Sequence, residues 1–197
     1  RMAPMDASEL EIAVRRALRN HHFDCVKYLV TEMGAPISET AVYSACDAGQ
    51  VKAVDFFVAQ GHQITNSHYL TNATRCCRRT MVACLRRHGV AWDKGLTGRL
   101  LKENHYASLR LALEYGAPVI WHTKFAACKH SLQEGAKILH EHGHSFGEFG
   151  GLLLRVAVEH DSYNVLGYLL EQLQKAGDAP PVVTASAADV ELANTKA

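Results

Sequence analysis

Five glycines recur along this chain at an almost constant interval. They are separated by 27, 28, 27 and 27 residues, and each closes an amphipathic segment such as AVDFFVAQG. The glycines are Gly34, Gly61, Gly89, Gly116 and Gly143. A glycine directly after such a segment suits a left-handed helix cap, where a Cβ atom would clash. The interval predicts a chain of repeated helical units, because a fixed period of this length is the mark of stacked repeats.

Apolar columns surround these glycines. Positions seven, five and four before the last four glycines are apolar, which is the spacing of one helix face. The columns are Val54, Val82, Leu109 and Ala136, then Phe56, Cys84, Leu111 and Ile138, then Phe57, Leu85, Ala112 and Leu139. An apolar residue also stands three positions after each glycine, where we predict a buried anchor. The anchors are Ile37, Ile64, Trp92, Val119 and Phe146.

A second helix is predicted upstream in each unit. Its middle carries pairs of small or apolar residues that let neighbouring helices approach closely. The pairs are Ala45-Cys46, Ala73-Thr74, Leu100-Leu101 and Ala127-Cys128. Polar residues and a glycine at 47–49, 102–105 and 129–131 mark tight turns after three of the pairs. Each unit is predicted to be helix, turn, helix and loop, which makes the chain all-α.

About six such units fill residues 1–177. Their predicted bounds are 6–34, 35–61, 62–89, 90–116, 117–143 and 144–177. The last unit has a lengthened second helix, as the end of a stack requires. The period stops after Gly177, and Pro, Ala, Thr and Ser are frequent in 178–197, which we predict to be a flexible tail.

The repeat resembles the ankyrin family. Between Ala45 and Ile64 the chain has, in order, a pair of small residues, a tight turn, an apolar helix and an ending that starts with glycine. The ankyrin family has the same order, with a Val-Val-x-Leu-Leu helix and a Gly-Ala-Asp-Val ending. Thr40–Cys46 falls where the family has Thr-Pro-Leu-His-Leu-Ala-Ala. The period is 27 residues against the usual 33, and the missing residues fall in the loop that forms a β-hairpin. Gly89-Val90-Ala91-Trp92 is similar to the Gly-x-x-Trp loops of shortened ankyrin-like variants. The resemblance implies a right-handed solenoid that binds another protein through the first helices and loops of its concave face.

Composition excludes several other roles. The 197 residues carry a formal net charge of +1, so no overall field favours nucleic acid or an anionic membrane. Nucleic-acid binding by the arginine-rich third unit is a weaker alternative. No apolar run reaches the roughly 18 residues that span a bilayer. Most of the six cysteines occupy small apolar positions, so we predict buried free thiols in a reducing cytoplasm. The start Arg1-Met2-Ala3-Pro4 is not a secretory signal, although secretion or delivery into a host stays open.

Two segments carry chemistry-bearing residues without a convincing site. His140, His142 and His144 occupy alternate positions at a helix end, and such residues do not face one another as zinc ligands must. Cys76 and Cys77 lie beside arginines that favour a thiolate, but no His–acid pair accompanies them. We predict no catalytic residue, no metal site and no cofactor; a zinc- or thiol-dependent enzyme is the alternative.

Candidate binding residues lie on the predicted first helices. The residue after the small pair is basic in three successive units, at Arg75, Lys102 and Lys129, with Arg99 nearby in sequence. This column suits an acidic or phosphorylated protein, although a solvated helix face explains it equally well.

Two aromatic residues complete the candidate set. Trp121 stands where other units are polar, as an interface anchor does, or else it packs locally against His122 or Phe125. Tyr43 lies on the first helix of the second unit. We predict a non-catalytic adaptor, scaffold or inhibitor, monomeric, with a pathogen effector as the alternative.

Overall fold

Paired α-helices form all the regular structure in the computed structural model, which describes residues 6–147 and 150–175. Twelve helices lie in these ranges, and no strand does. The all-α prediction is therefore confirmed for the described residues. The chain divides into an N-terminal half, Arg1–Asp93, and a C-terminal half, Lys94–Ala197, each compact in itself. The predicted tail, 178–197, lies outside the described residues.

The N-terminal half contains three helix pairs. They are α1 (Ala7–Arg19) with α2 (Phe23–Thr31), α3 (Glu39–Asp47) with α4 (Val51–Ala59), and α5 (Ser67–Arg75) with α6 (Arg79–Arg87). The first helices pack in series, α1 on α3 and α3 on α5, and the second helices do the same, α2 on α4 and α4 on α6. Each pair therefore buries its apolar faces against the next pair, as repeat units do.

The C-terminal half repeats this arrangement. Its helices are α7 (Leu96–Lys102), α8 (Tyr106–Glu114), α9 (Trp121–Lys129), α10 (Gln133–Glu141), α11 (Gly150–Glu159) and α12 (Tyr163–Lys175). Among the first helices α9 contacts α7 and α11, and among the second helices α10 contacts α8 and α12. No described helix is both long and apolar enough to cross a membrane.

The periodic glycines end the second helices, as the sequence predicts. All five have positive φ, between 68° and 87°. At Gly61 the glycine N–H donates to the Val58 carbonyl at 2.9 Å, and the N–H of His62 donates to the Phe57 carbonyl at 3.0 Å. These two bonds are the Schellman pattern, which satisfies carbonyls that the helix end would otherwise leave unpaired.

The first helices end in the same way but mostly without glycine. The left-handed position is Gly49 in one repeat, where the N–H of Gln50 donates to the Ala45 carbonyl at 2.9 Å. In the other repeats it is filled by residues with φ between 52° and 60°. These residues are His21, Cys77, Asn104, Ser131 and Asp161. The predicted turns at 47–49, 102–105 and 129–131 are confirmed, although the sequence shows the glycine at only one of them.

Caps and the short turns explain where helices begin. Asp6 and Glu9 form a capping box at the start of α1, and the Ser38 hydroxyl accepts the Ala41 N–H at the start of α3. Glu11 on α1 accepts a hydrogen bond from Ser38 at 2.9 Å, which links the first repeat to the second. Among the described residues, α2, α4, α6, α8 and α10 begin without a side-chain cap, directly after the left-handed turn.

The predicted core columns are confirmed, with one partial exception. Every residue seven or four positions before the last four glycines is fully buried, and so is Ile138. Cys84 and Leu111 are buried as well, whereas Phe56 is half-buried. The small pairs of the first helices are buried too, which lets these helices pack closely.

The predicted anchor column is only partly correct. Ile64 and Phe146 are buried, whereas Ile37, Val119 and Trp92 are half-buried. The reason is the Schellman turn, which brings the first residue after the glycine over the last helical turn. In three repeats that residue is a buried apolar one. These residues are Ala35, Val90 and Ala117. The expectation that Trp92 is a core residue was wrong: its ring lies under the Arg86 guanidinium, 5.7 Å away.

Candidate functional site

Aromatic rings from two consecutive first helices meet on the surface of the N-terminal half. Tyr43 of α3 is 41% exposed, and its ring stacks on His68 of α5 with centroids 6.2 Å apart and planes 14° apart. Tyr69 lies beside them, 6.5 Å from Tyr43 between centroids, and its hydroxyl donates to the Glu39 carboxylate. Burial and the bond to Glu39 raise the pKa of Tyr69, so it stays a neutral donor that holds α5 to α3.

Arg75 ends α5 and is exposed, as predicted for a surface cation. The equivalent position one repeat earlier is Asp47, and the basic side chain near its carboxylate comes from the next repeat. Arg78 lies 3.6 Å from the Asp47 carboxylate and donates to the Cys46 carbonyl at 3.3 Å. The turns that follow the first helices in this half are thus linked by charge and by hydrogen bonds.

Lys102 and Lys129 are exposed at the ends of α7 and α9 in the C-terminal half. The pKa of His130 depends on both lysines. Burial is the largest cause that lowers this pKa, and the charges of Lys102, Lys129 and His160 lower it further. The two lysines therefore act on one surface around His130. Cations at helix ends also offset the helix dipole, so the same lysines stabilise the fold. Arg99 is exposed on α7, one turn before Lys102.

Trp121 begins α9 and is half-buried. Its ring lies 3.8 Å from His122 between centroids and meets Phe125 edge-on at 5.7 Å. These are the local packing contacts that the sequence predicts as the alternative to an interface role. The indole Nε1 is buried and has no hydrogen-bond partner among the described residues.

Among the described residues, the donor atoms of His140, His142 and His144 do not converge as the ligands of one metal ion must. The His140 ring meets Tyr168 edge-on at 6.3 Å, while His142 is 2.8 Å from the Ile138 carbonyl, so the two rings are held by different neighbours. Cys76 and Cys77 are exposed at the end of α5, as is Cys25 on α2. The prediction of buried thiols is therefore right for three of the six cysteines and wrong for the other three. The buried ones are Cys46, Cys84 and Cys128.

A polar cluster that the sequence analysis did not single out joins α4 to α6. The Asp55 Oδ1 atom is 2.6 Å from His88 Nε2, 2.7 Å from Arg87 Nη2 and 3.4 Å from the Cys84 sulfur. Burial tends to raise the pKa of Asp55, but hydrogen bonds from His88, Arg87 and Cys84 outweigh it and the pKa is lowered. Burial and the Asp55 carboxylate raise the pKa of Cys84 to about 11. The Cys84 thiol is therefore protonated near neutral pH and donates to Asp55.

The repeat contained the signal for this cluster. Cys84 and His88 are four residues apart on one predicted helix and so share a face. Asp55 lies 29 residues before Cys84, close to one repeat period, so the stacking of second helices brings the three together. Asp55 is therefore distant in sequence from Cys84 and His88, whereas His140, His142 and His144 lie within five residues.

Comparisons with known proteins give no match from which the role of these residues could be inferred. No family model, no curated protein and no solved structure matches the chain.

Proposed function

We propose that the chain is a non-catalytic protein–protein interaction module whose helix pairs are ankyrin-like repeats of a right-handed solenoid. The observation that carries the proposal is the exposed aromatic surface formed by Tyr43 and His68. An exposed tyrosine that packs on a neighbouring ring loses less side-chain entropy on binding than an unsupported one. Tyrosine is also one of the residue types that dominate binding energy at protein interfaces.

Lys102 and Lys129 support a partner with an acidic or phosphorylated surface. Both are exposed and both act electrostatically on His130. Exposed ammonium groups speed association with partners of opposite charge. Repeat units that stack in series supply such residues from successive helices, and binding is the usual role of that architecture.

Site-specific photo-crosslinking tests the proposal. A photoreactive phenylalanine derivative replaces Tyr43 on the first helix α3, and the matched control replaces Tyr28, which is 58% exposed on the second helix α2. We expect position 43 to capture a discrete partner from extract of the native source and position 28 to capture none. Crosslinks from position 28 alone would contradict the proposal, because they would place the interface on the second helices.

Charge neutralisation tests the electrostatic part separately. Replacing Arg75, Lys102 and Lys129 by Gln should weaken binding of the captured partner and flatten its dependence on salt. The matched control replaces Lys27 and Lys52, exposed lysines on second helices, and should leave the salt dependence unchanged. An unchanged salt dependence in the first variant would remove the basic column from the interface.

A further inference from the structure

We propose that Asp55, Cys84 and His88 form a zinc-binding site that joins α4 to α6. The three side chains come from consecutive second helices and offer one ligand atom each, and these atoms all lie within 4.8 Å of one another. The site is separate from the proposed partner surface on the first helices and adds a second capacity to the chain.

The donor set selects the metal. A thiolate and an imidazole are ligands for zinc and related transition metals, whereas calcium and magnesium take oxygen ligands. Cys, His and a carboxylate are the three ligand types found in zinc sites. With Cys84 as thiolate, Asp55 as carboxylate and His88 neutral, the ligands carry two negative charges and balance Zn²⁺. Binding releases the Cys84 thiol proton to solvent, and the neutral His88 ring moves its proton from Nε2 to Nδ1, which frees the Nε2 lone pair for the metal.

The distances are close to those of a bound ion. Zinc–ligand bonds of about 2.0–2.3 Å place tetrahedral ligand atoms about 3.3–3.8 Å apart. Cys84 Sγ is already 3.4 Å from Asp55 Oδ1, while His88 Nε2, at 2.6 Å, has to move outward by less than about 1 Å to reach that range.

Arg87 is the neighbour that the ion has to accommodate. Its Nη2 atom is 2.7 Å from Asp55 Oδ1 and 3.9 Å from the Cys84 sulfur. The Arg87 side chain is 63% exposed, so it can withdraw from Oδ1 without disturbing the core. Arg87 then donates a hydrogen bond to the other Asp55 oxygen or to the Cys84 thiolate. Hydrogen bonds from groups that do not touch the metal orient zinc ligands in this way.

Solvent reaches the site beside His88. This residue lines a cleft of about 570 Å³ whose wall also includes His62 and Ile64. The cleft provides the entry path that a metal site needs and room for a water molecule as fourth ligand. His62 lines the same cleft but is not among the three convergent donors, so it supplies a matched control.

Cobalt substitution tests the proposal with a direct spectroscopic readout. Full-length protein stripped with EDTA and titrated with Co²⁺ should bind one equivalent, with a thiolate-to-cobalt charge-transfer band and the strong visible absorption of four-coordinate cobalt. Zn²⁺ should displace the cobalt. Cys84→Ser should abolish the charge-transfer band, whereas Cys76→Ser, at an exposed cysteine, should retain it.

Two further variants keep the test decisive if Cys84→Ser fails to fold. Asp55→Asn and His88→Gln change partly exposed side chains and should weaken cobalt binding at least about 10-fold, whereas His62→Gln should stay within about twofold of wild type. Zn²⁺ should raise the thermal midpoint of wild type and not of Asp55→Asn. The proposal is overturned if no cobalt band forms at millimolar Co²⁺, or if the band survives His88→Gln and disappears with Cys76→Ser.

Discussion

The Tyr43 ring on α3 stacks on the His68 ring on α5, with centroids 6.2 Å apart and planes inclined by 14°. The two residues are 25 positions apart in sequence, close to one repeat, and they meet because consecutive first helices pack in series. The stacking leaves 41% of Tyr43 in solvent. The same packing that builds the core thus places a partly exposed tyrosine of one repeat beside a ring of the next.

Neutralising either lysine near His130 should raise the pKa of His130. A nearby positive charge disfavours the protonated imidazole, so removing it makes protonation easier. Histidine proton resonances followed by NMR against pH measure the effect in Lys102→Gln and Lys129→Gln. Lys94→Gln, at an exposed lysine of the same half, is the control and should leave the titration unchanged. An unchanged His130 pKa in both variants would show that the two lysines do not lie on the same surface as His130.

Stability should fall on acidification through the titration of His144. Burial, and then the charges of Lys124 and His142, lower the pKa of His144 in the folded chain. A base with a lowered folded pKa favours folding above its unfolded pKa of about 6.5, and this contribution is lost as the pH falls toward the folded value. Urea unfolding at pH 7.5 and 5.5 should show a smaller loss in His144→Gln than in wild type. An equal loss in both proteins would contradict the prediction.

Only half of the cysteines should react quickly with a thiol reagent in the native protein. Burial raises the pKa of Cys46 and of Cys128 to about 12, so neither forms an accessible thiolate at pH 8. Titration with Ellman's reagent should show three fast thiols, and six in denaturant. The fast ones are Cys25, Cys76 and Cys77. A fourth fast thiol would mean that a core helix pair opens readily.

Two glycine-to-alanine changes should act in opposite directions. Gly61 has a φ of 87°, and alanine there should destabilise the protein by about 1 kcal/mol or more. Gly167 is exposed within α12, and a Cβ atom there meets nothing within 4 Å, so alanine should stabilise by up to about 1 kcal/mol. Chemical denaturation of the two variants beside wild type measures both effects. A shift of the same sign in both would contradict the assigned helix ends.

The regular features of the fold could be predicted because they repeat. Five glycines and three apolar columns identify the second helices, and their burial follows from helical periodicity. The turn after α5 was not predicted, because Cys77 takes the left-handed conformation that glycine marks at Gly49. Trp92 was misassigned because the sequence does not show that the Schellman turn directs the next residue, Val90, into the core.

The candidate sites were less predictable than the fold, because they depend on contacts between repeats. The surface around Tyr43 requires the register of α3 against α5, which decides whether His68 lies under its ring. The Asp55–Cys84–His88 cluster depends likewise on the register of α4 against α6. A motif search along the chain finds donors that are adjacent in sequence and overlooks donors that are one repeat apart.

Affinity for the partner captured at position 43 tests the central claim most directly. Calorimetric titration compares wild type with Tyr43→Ala and with the control Tyr28→Ala, after circular dichroism has shown that both variants are folded. We predict that Tyr43→Ala raises the dissociation constant by about 10-fold or more, as loss of an interface tyrosine does. Tyr28→Ala should leave the dissociation constant within about twofold of wild type. Equal affinities for wild type and Tyr43→Ala would contradict a partner surface on the first helices.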